Sequence, residues 1–96
     1  MSPINKKKLA KLRVKLDMLD IQLLKTIKKR SNLVNKVLKV KTYKKEIIDQ
    51  KRIKLILNKI KKKSIQLKID PKITVRIWKN MIWSFIDYEK RNFKKK

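Results

Sequence analysis

Residues 24–41, LKTIKKRSNLVNKVLKVK, contain the pattern that decides the fold. In a helix, side chains that recur every three or four residues lie on one face. That face here holds Ile27, Arg30, Val34, Val37 and Lys41, and it continues toward the N-terminus through Leu23, Leu19, Leu16, Leu12 and Leu9. The sequence therefore predicts one long helix whose apolar face carries two cations, although burying an unpaired cation costs several kcal/mol.

The amino-acid composition favours an all-α protein. The chain has 96 residues, with no glycine and two prolines, and 42% of its residues are apolar. Sheet proteins need glycine-rich turns that such a composition does not supply. The chain also has no cysteine and no histidine, which excludes disulfides, cysteine catalysis and Cys/His metal sites.

The net charge of +24 comes from 31 Lys and Arg residues against 7 Asp and Glu residues. Such an excess is typical of proteins that bind nucleic acid, a membrane surface or an acidic small molecule. Lysine-rich coding bias is the alternative explanation, and the even spread of lysines along the chain favours it. The arginines are therefore the more informative cations, and they lie at Arg13, Arg30, Arg52, Arg76 and Arg91.

Three helices account for most of the chain. Their expected ranges are about 8–41, 47–66 and 72–92, with Asp70 as N-cap and Pro71 at the first position of the third helix. TYKKE, at 42–46, is expected to be a polar connector. The basic ends, 1–7 and 93–96, are expected to be disordered, so that residues 1–96 form a single domain.

The length of the first helix predicts an oligomer. A helix of about 34 residues is roughly 50 Å long, whereas a compact 100-residue globule has a radius of gyration of only about 13 Å. The remaining residues cannot cover such a helix, so we expect an intertwined homodimer.

No apolar segment of the sequence predicts secretion or a membrane span. The N-terminal stretch MSPINKKKLAKLRVKLDML lacks the apolar region of a signal peptide. No run approaches the roughly 18 apolar residues of a membrane helix. We therefore expect a cytoplasmic protein.

Ionisable residues interrupt the apolar faces of all three predicted helices, at Arg30, Lys41, Asp49 and Glu89. Arg13 and Arg52 lie at the margins of these faces. Each residue taken alone is readily explained by a long side chain reaching water from a helix edge. Together they favour a polar pocket between helices, a common ligand site in helical bundles. Cations outnumber anions there, so the predicted ligand is an anion.

The segment LRVKLDMLDIQLLKTIKKRSNLVNKVLKVK resembles the first helix of the all-helical chorismate mutases. The matching pattern is Leu12-Arg13, Leu19-Asp20, Leu23-Leu24, Arg30 and Val37 with Lys41. The segment IDQKRIKLILNKI resembles the start of the second catalytic helix of the family, and DPKITVRIWKNMIWSFIDYEK resembles its last helix. The resemblance extends over about residues 9–90. It implies a three-helix chain in an intertwined homodimer, acting in aromatic amino-acid biosynthesis.

The resemblance also implies the reaction, the rearrangement of chorismate to prephenate, which needs no cofactor and no metal. The family residues that bind the substrate carboxylates and its hydroxyl correspond here to four positions. Arg30 would bind one carboxylate, Arg13 of the partner chain would bind the other, and Arg52 would support the carboxylate end. Asp49 would lie near the hydroxyl. Guanidinium groups suit this task because they bind carboxylates with two hydrogen bonds.

Two further positions correspond to family residues beside the ether oxygen whose bond breaks. Lys41 would donate to this oxygen, and Glu89 would lie over it. The enzyme would hold the dianion in a reactive conformer and stabilise the negative charge that grows on the oxygen.

Two residues depart from the family pattern and leave an alternative activity open. Ile53 stands where the mutases generally have Glu, and Phe85, counted among the substrate-binding residues, stands where Ser is usual. Apolar or aromatic residues at these places resemble the isochorismate-pyruvate lyases, which share the fold.

A basic helical nucleic-acid-binding protein is the alternative that is not an enzyme. The charge favours it, but the sequence contains no recognised DNA-binding signature or concentrated recognition helix. A membrane-surface helix is disfavoured because Trp78 and Trp83 lie on different faces of the third helix. We therefore expect neither a specific nucleic acid nor a membrane as partner.

Overall fold

The computed structural model describes residues 1–94, and these form three α-helices joined by short connections. Helix α1 spans Pro3–Val40, α2 spans Gln50–Gln66 and α3 spans Pro71–Asn92. A 3-10 turn, Lys44–Ile47, lies between α1 and α2. No strand occurs in this part of the chain, so the prediction of an all-α, three-helix chain with a long first helix is confirmed.

Helix α1 begins five residues before the predicted start at Lys8. Ser2 caps it: its hydroxyl accepts a hydrogen bond from the Asn5 N–H at 3.2 Å, and its carbonyl accepts one from Lys6 N–H at 2.9 Å. Pro3 then takes the first helical position, where its missing N–H costs nothing. Residues 3–7 therefore form the first turns of α1 in this structure. Of the C-terminal segment, Phe93 and Lys94 follow α3 outside the helix, and 95–96 lie outside the described residues.

Helix α2 begins at Gln50, three residues after the predicted start at Ile47. Asp49 is its N-cap and accepts a hydrogen bond from the Arg52 N–H at 3.0 Å. The predicted polar connector contains the 3-10 turn, whose last residue, Ile47, is buried. Sequence periodicity missed this boundary because Ile47 and Ile48 continue the apolar pattern of α2 into the turn.

The chain divides into two compact units, of which the first is Met1–Leu33. This unit is helical from Pro3 onward, and none of its residues is buried. Leu9 is half-buried, but most of the unit's other apolar residues are exposed, including Leu16 at 58% and Leu23 at 59%. An isolated helix gains little stability in water without a packed apolar face.

The second unit begins at Val34 and contains the hydrophobic core. The core consists of Leu38 from the end of α1, Ile47 from the 3-10 turn, and Ile82 and Ile86 from α3. Around them lie partly buried apolar side chains, including Ile53, Ile56, Leu57 and Phe93. The spacing of Ile82 and Ile86 by four residues gives α3 one core-facing side, on which Glu89 also lies.

The corner between α2 and α3 is closed by a Schellman motif. The Ile69 N–H donates to Ser64 O at 2.9 Å, and the Lys68 N–H donates to Ile65 O at 3.1 Å. Lys68 has φ 58°, the left-handed conformation that this motif usually gives to glycine. The buried Ser64 hydroxyl donates to Ile60 O at 2.6 Å and lies 2.6 Å from Thr74 Oγ1, which links α2 to α3.

Replacing Lys68 with glycine is expected to stabilise the chain. Left-handed backbone costs a residue with a Cβ about 1–2 kcal/mol, part of which glycine loses again through its larger unfolded-state entropy. The net gain expected is about 1 kcal/mol, or a rise in Tm of roughly 4–8 °C. The control is Lys62→Gly within α2, which should lower the stability by about as much. Equal Tm values for the two variants in thermal unfolding would contradict the prediction.

None of the helices in residues 1–94 is both long and apolar enough to cross a membrane.

Candidate active site

A part-buried ion pair joins the residue that follows α1 to the last turns of α3. The Lys41 ammonium donates to Glu89 Oε1 at 3.0 Å, across 48 residues of sequence. The side chains are 19% and 7% exposed, respectively. Removing two charges from water is expensive, and a buried ion pair often contributes little net stability. Because stability alone does not explain why this pair lies beside the core, we interpret the pair as a functional feature.

Local structure explains how the two side chains meet. Lys41 follows the last helical residue of α1, and its N–H donates to Leu38 O at 3.3 Å, so the backbone turns immediately after the core anchor Leu38. Glu89 follows Ile82 and Ile86 on the core-facing side of α3. A carboxylate so near the C-terminus of a helix is opposed by the helix dipole, and the Lys41 ammonium compensates for this.

Glu46 holds the connector that follows Lys41. Its carboxylate oxygen Oε2 accepts hydrogen bonds from the Thr42 N–H at 2.8 Å and from the Tyr43 N–H at 3.4 Å. The sequence analysis did not identify this role. It could have been found from the spacing of a capping box, because Glu46 lies three residues after Tyr43, the N-cap of the 3-10 turn.

A second polar contact lies near the ion pair. The Tyr88 hydroxyl donates to Asn35 Oδ1 at 2.8 Å, again joining α1 to α3. Beside it is a cavity of about 260 Å³. Its lining includes Asn35, Leu38, Lys39, Tyr88 and Phe93. Asn35 and Tyr88 were not among the predicted site residues, because neither lies on the stripes by which those residues were chosen.

The other predicted site residues of the second unit lie at different depths. Asp49 and Arg52 are exposed at the start of α2, where Asp49 serves as the N-cap. Phe85 is half-buried on α3, and Ile53 packs against the core. The expectation that Asp49 interrupts the buried face of α2 is therefore wrong, since the helix begins one residue later.

Arg13 and Arg30 lie in the first unit. Arg13 is exposed, and Arg30 is half-buried. Two pairs of predicted site residues are in contact: Lys41 with Glu89 through their side chains, and Asp49 with Arg52 through the Arg52 N–H.

These observations define a class of protein: an all-α chain with a part-buried Lys–Glu pair, many cations, and neither Cys nor His. Chemistry at such a site must rely on charge and positioning rather than on a thiol or imidazole group. The family model for chorismate mutase type II matches residues 12–90, which is most of the chain. The chain belongs to this family, whose activity is an isomerisation with chorismate as substrate. No curated protein and no solved structure gives a significant match.

Proposed function

We propose that this chain rearranges chorismate to prephenate by positioning the substrate and stabilising charge, with Lys41 and Glu89 at the ether oxygen. The observation that supports this proposal is the part-buried Lys41–Glu89 ion pair. The Lys41 side chain is only 19% exposed, so an interaction of its ammonium with a developing negative charge is stronger than it would be at the open surface. The pair also keeps Lys41 ordered before substrate arrives.

The substrate carboxylates are assigned to the arginines. Arg30 binds one carboxylate, Arg52 supports that end of the substrate, and Arg13 of the partner subunit binds the other carboxylate. Asp49 lies near the substrate hydroxyl while its Oδ1 caps α2. This arrangement answers why the apolar stripe of α1 includes cations: when the site is full, they face a dianion. Residues that hold the substrate in its reactive conformation lower the barrier of a unimolecular reaction, because the entropy of orientation is already lost on binding.

The exposed apolar face of the first unit supports the proposal of a homodimer. Four leucines that share one face of the helix are each more than half exposed: Leu12, Leu16, Leu19 and Leu23. We infer that a second copy of the chain covers this stripe and supplies Arg13. Residues 1–96 then act as one domain of the dimer, and a cytoplasmic location remains the prediction of the sequence.

Isochorismate-pyruvate lyase activity is the second candidate. Ile53 and Phe85 have apolar side chains at positions where the mutases generally carry a polar group. Ile53 packs against the hydrophobic core, and Phe85 is half-buried. Isochorismate is a closely similar dianion, and the same cations would bind it.

One absorbance assay decides between the candidates. Purified protein is incubated with chorismate and, separately, with isochorismate at pH 5 and pH 7.5. Formation of prephenate from chorismate supports the mutase. Release of pyruvate from isochorismate, with chorismate nearly unchanged, overturns the mutase in favour of the lyase. Inactivity on both overturns the enzyme proposal and leaves the basic nucleic-acid-binding protein to be tested by salt-dependent retention on DNA.

Glu89→Gln tests whether residue 89 acts on the ether oxygen. A carboxylate repels an oxygen that is becoming negative, whereas the amide N–H of glutamine can donate a hydrogen bond to it. We expect Glu89→Gln to raise kcat for chorismate at pH 7.5, measured by steady-state kinetics at saturating substrate. If kcat is the same in the wild-type protein and in Glu89→Gln, residue 89 does not act on the ether oxygen.

A further inference from the structure

The hydrogen bond between Tyr88 and Asn35 is a second link between the segments that carry Glu89 and Lys41. Tyr88 directly precedes Glu89 on α3, and Asn35 lies about 8 Å before the end of α1. Both residues are half-buried, and the bond of 2.8 Å spans 53 residues of sequence. We propose that Asn35 and Tyr88 are positioning residues that hold Lys41 in register with Glu89. This inference rests on the proposed role of Lys41 at the ether oxygen.

Apolar packing alone defines the position of the end of α1 against α3 only weakly. Helix α3 packs mainly against α2 and the 3-10 turn. From α1, the buried core residue is Leu38, which packs with Ile82 and Ile86 of α3. An apolar contact has no preferred direction, so Leu38 permits α1 to rotate or slide slightly against α3. A hydrogen bond has both a distance and an angle that must be met.

The Tyr88–Asn35 hydrogen bond and the Lys41–Glu89 ion pair together form what we call the brace between α3 and the end of α1. They start from adjacent residues of α3, Tyr88 and Glu89, but they end six residues apart in sequence, at Asn35 within α1 and at Lys41 directly after it, which is about 9 Å at the rise of a helix. One such contact would allow rotation about itself, whereas two contacts at separate points oppose both rotation and sliding. The ammonium of Lys41 is a flexible point charge, so its position depends on where the end of α1 is held.

Catalysis is sensitive to such small displacements. Electrostatic stabilisation requires the donor within about 3 Å of the oxygen that becomes charged, and a displacement of 1 Å can be costly. Asn35 and Tyr88 touch neither reacting atom in this scheme. Their loss should therefore lower kcat and leave KM nearly unchanged.

The test compares Tyr88→Phe with Tyr43→Phe, an identical change on an exposed tyrosine. Tyr88→Phe should lower kcat about three- to tenfold, the range expected for one hydrogen bond, with KM changed less than twofold. Tyr43→Phe should have wild-type kinetics. Equal kcat values in the two variants, measured well below their Tm, overturn the proposal.

The acceptor side gives a rescue experiment. Asn35→Leu removes the acceptor and should lower kcat as much as Tyr88→Phe does, whereas Asn35→Asp keeps an acceptor oxygen and should retain nearly full kcat. The double variant Asn35→Leu/Tyr88→Phe should be no worse than either single variant. Additive losses, or equal losses in the Leu and Asp variants, overturn the proposal.

A readout independent of turnover separates this inference from the proposed function. Amide hydrogen exchange of residues 36–41 should be faster in Tyr88→Phe than in Tyr43→Phe. If the wild-type protein turns over neither chorismate nor isochorismate, the proposed function fails, and exchange alone then decides whether the brace exists. Equal exchange in the two variants overturns the brace.

Discussion

Replacing Lys41 with methionine is expected to lower kcat for chorismate by about 100- to 1000-fold. Removing one preorganised donor from a site of developing negative charge typically costs this much, about 2.7–4 kcal/mol of transition-state stabilisation. Methionine retains most of the volume of the lysine side chain but cannot donate a hydrogen bond. Steady-state kinetics at saturating substrate measure the effect.

The matched control is Lys36→Met, the same change at an exposed position five residues earlier. Both variants lose one charge of the net +24, so a general effect of surface charge would appear in both. A kcat of Lys41→Met within about threefold of that of Lys36→Met would show that Lys41 is not at the reacting bond.

Lys41→Met should also destabilise the fold, because Glu89 then remains buried without its partner. Adding Glu89→Gln to this variant removes the second charge and is expected to restore much of the lost Tm. It should not restore kcat. A double variant with restored Tm but low kcat would show that the loss of activity does not come from unfolding.

Mixing two inactive variants is expected to recover activity if Arg13 acts on the partner's site. Arg13→Ala and Lys41→Met homodimers each have two defective sites. In a heterodimer of the two, one site contains both defects and the other contains neither. Random exchange of equal amounts makes about half of the dimers mixed, each with one intact site. The mixture, unfolded and refolded together, should regain about one quarter of wild-type activity.

A second mixture provides the control. Arg30 and Lys41 are proposed to serve the same site from the same chain, so Arg30→Ala mixed with Lys41→Met should recover nothing. If the Arg13→Ala mixture also recovers nothing while mixed dimers form, Arg13 acts within its own subunit. If both mixtures recover activity, the assignment of Arg30 is wrong.

The helical architecture could be predicted from the sequence, and so could two ionisable residues that deserve examination. The three- and four-residue spacing on α1 and α3 has no breaker to interrupt it, so helix type followed directly. The Asp70-Pro71 pair marked the start of α3 because a cap and a preformed φ act locally. Lys41 and Glu89 were chosen as ionisable residues on apolar faces, and the structure brings them into contact.

Boundaries and pairings that depend on competing local forces could not be predicted. Asp49 fits both the stripe of α2 and an N-cap, and only the hydrogen bond from Arg52 N–H shows which role it takes. Ser2 was overlooked because a basic terminus resembles a disordered one. The Tyr88–Asn35 bond, which spans 53 residues of sequence, depends on how α1 and α3 are rotated about their axes, and periodicity does not specify this rotation.

None of residues 1–33 is buried within the single chain, so the proposed dimer would make the order of this part depend on protein concentration. If that segment acquires its apolar cover only from another copy, the order of the helix carrying Arg13 and Arg30 depends on how much protein is present. Each tenfold dilution then disfavours the assembled state by about 1.4 kcal/mol. The abundance of the chain in a cell would thus set the active fraction, not only the number of active sites.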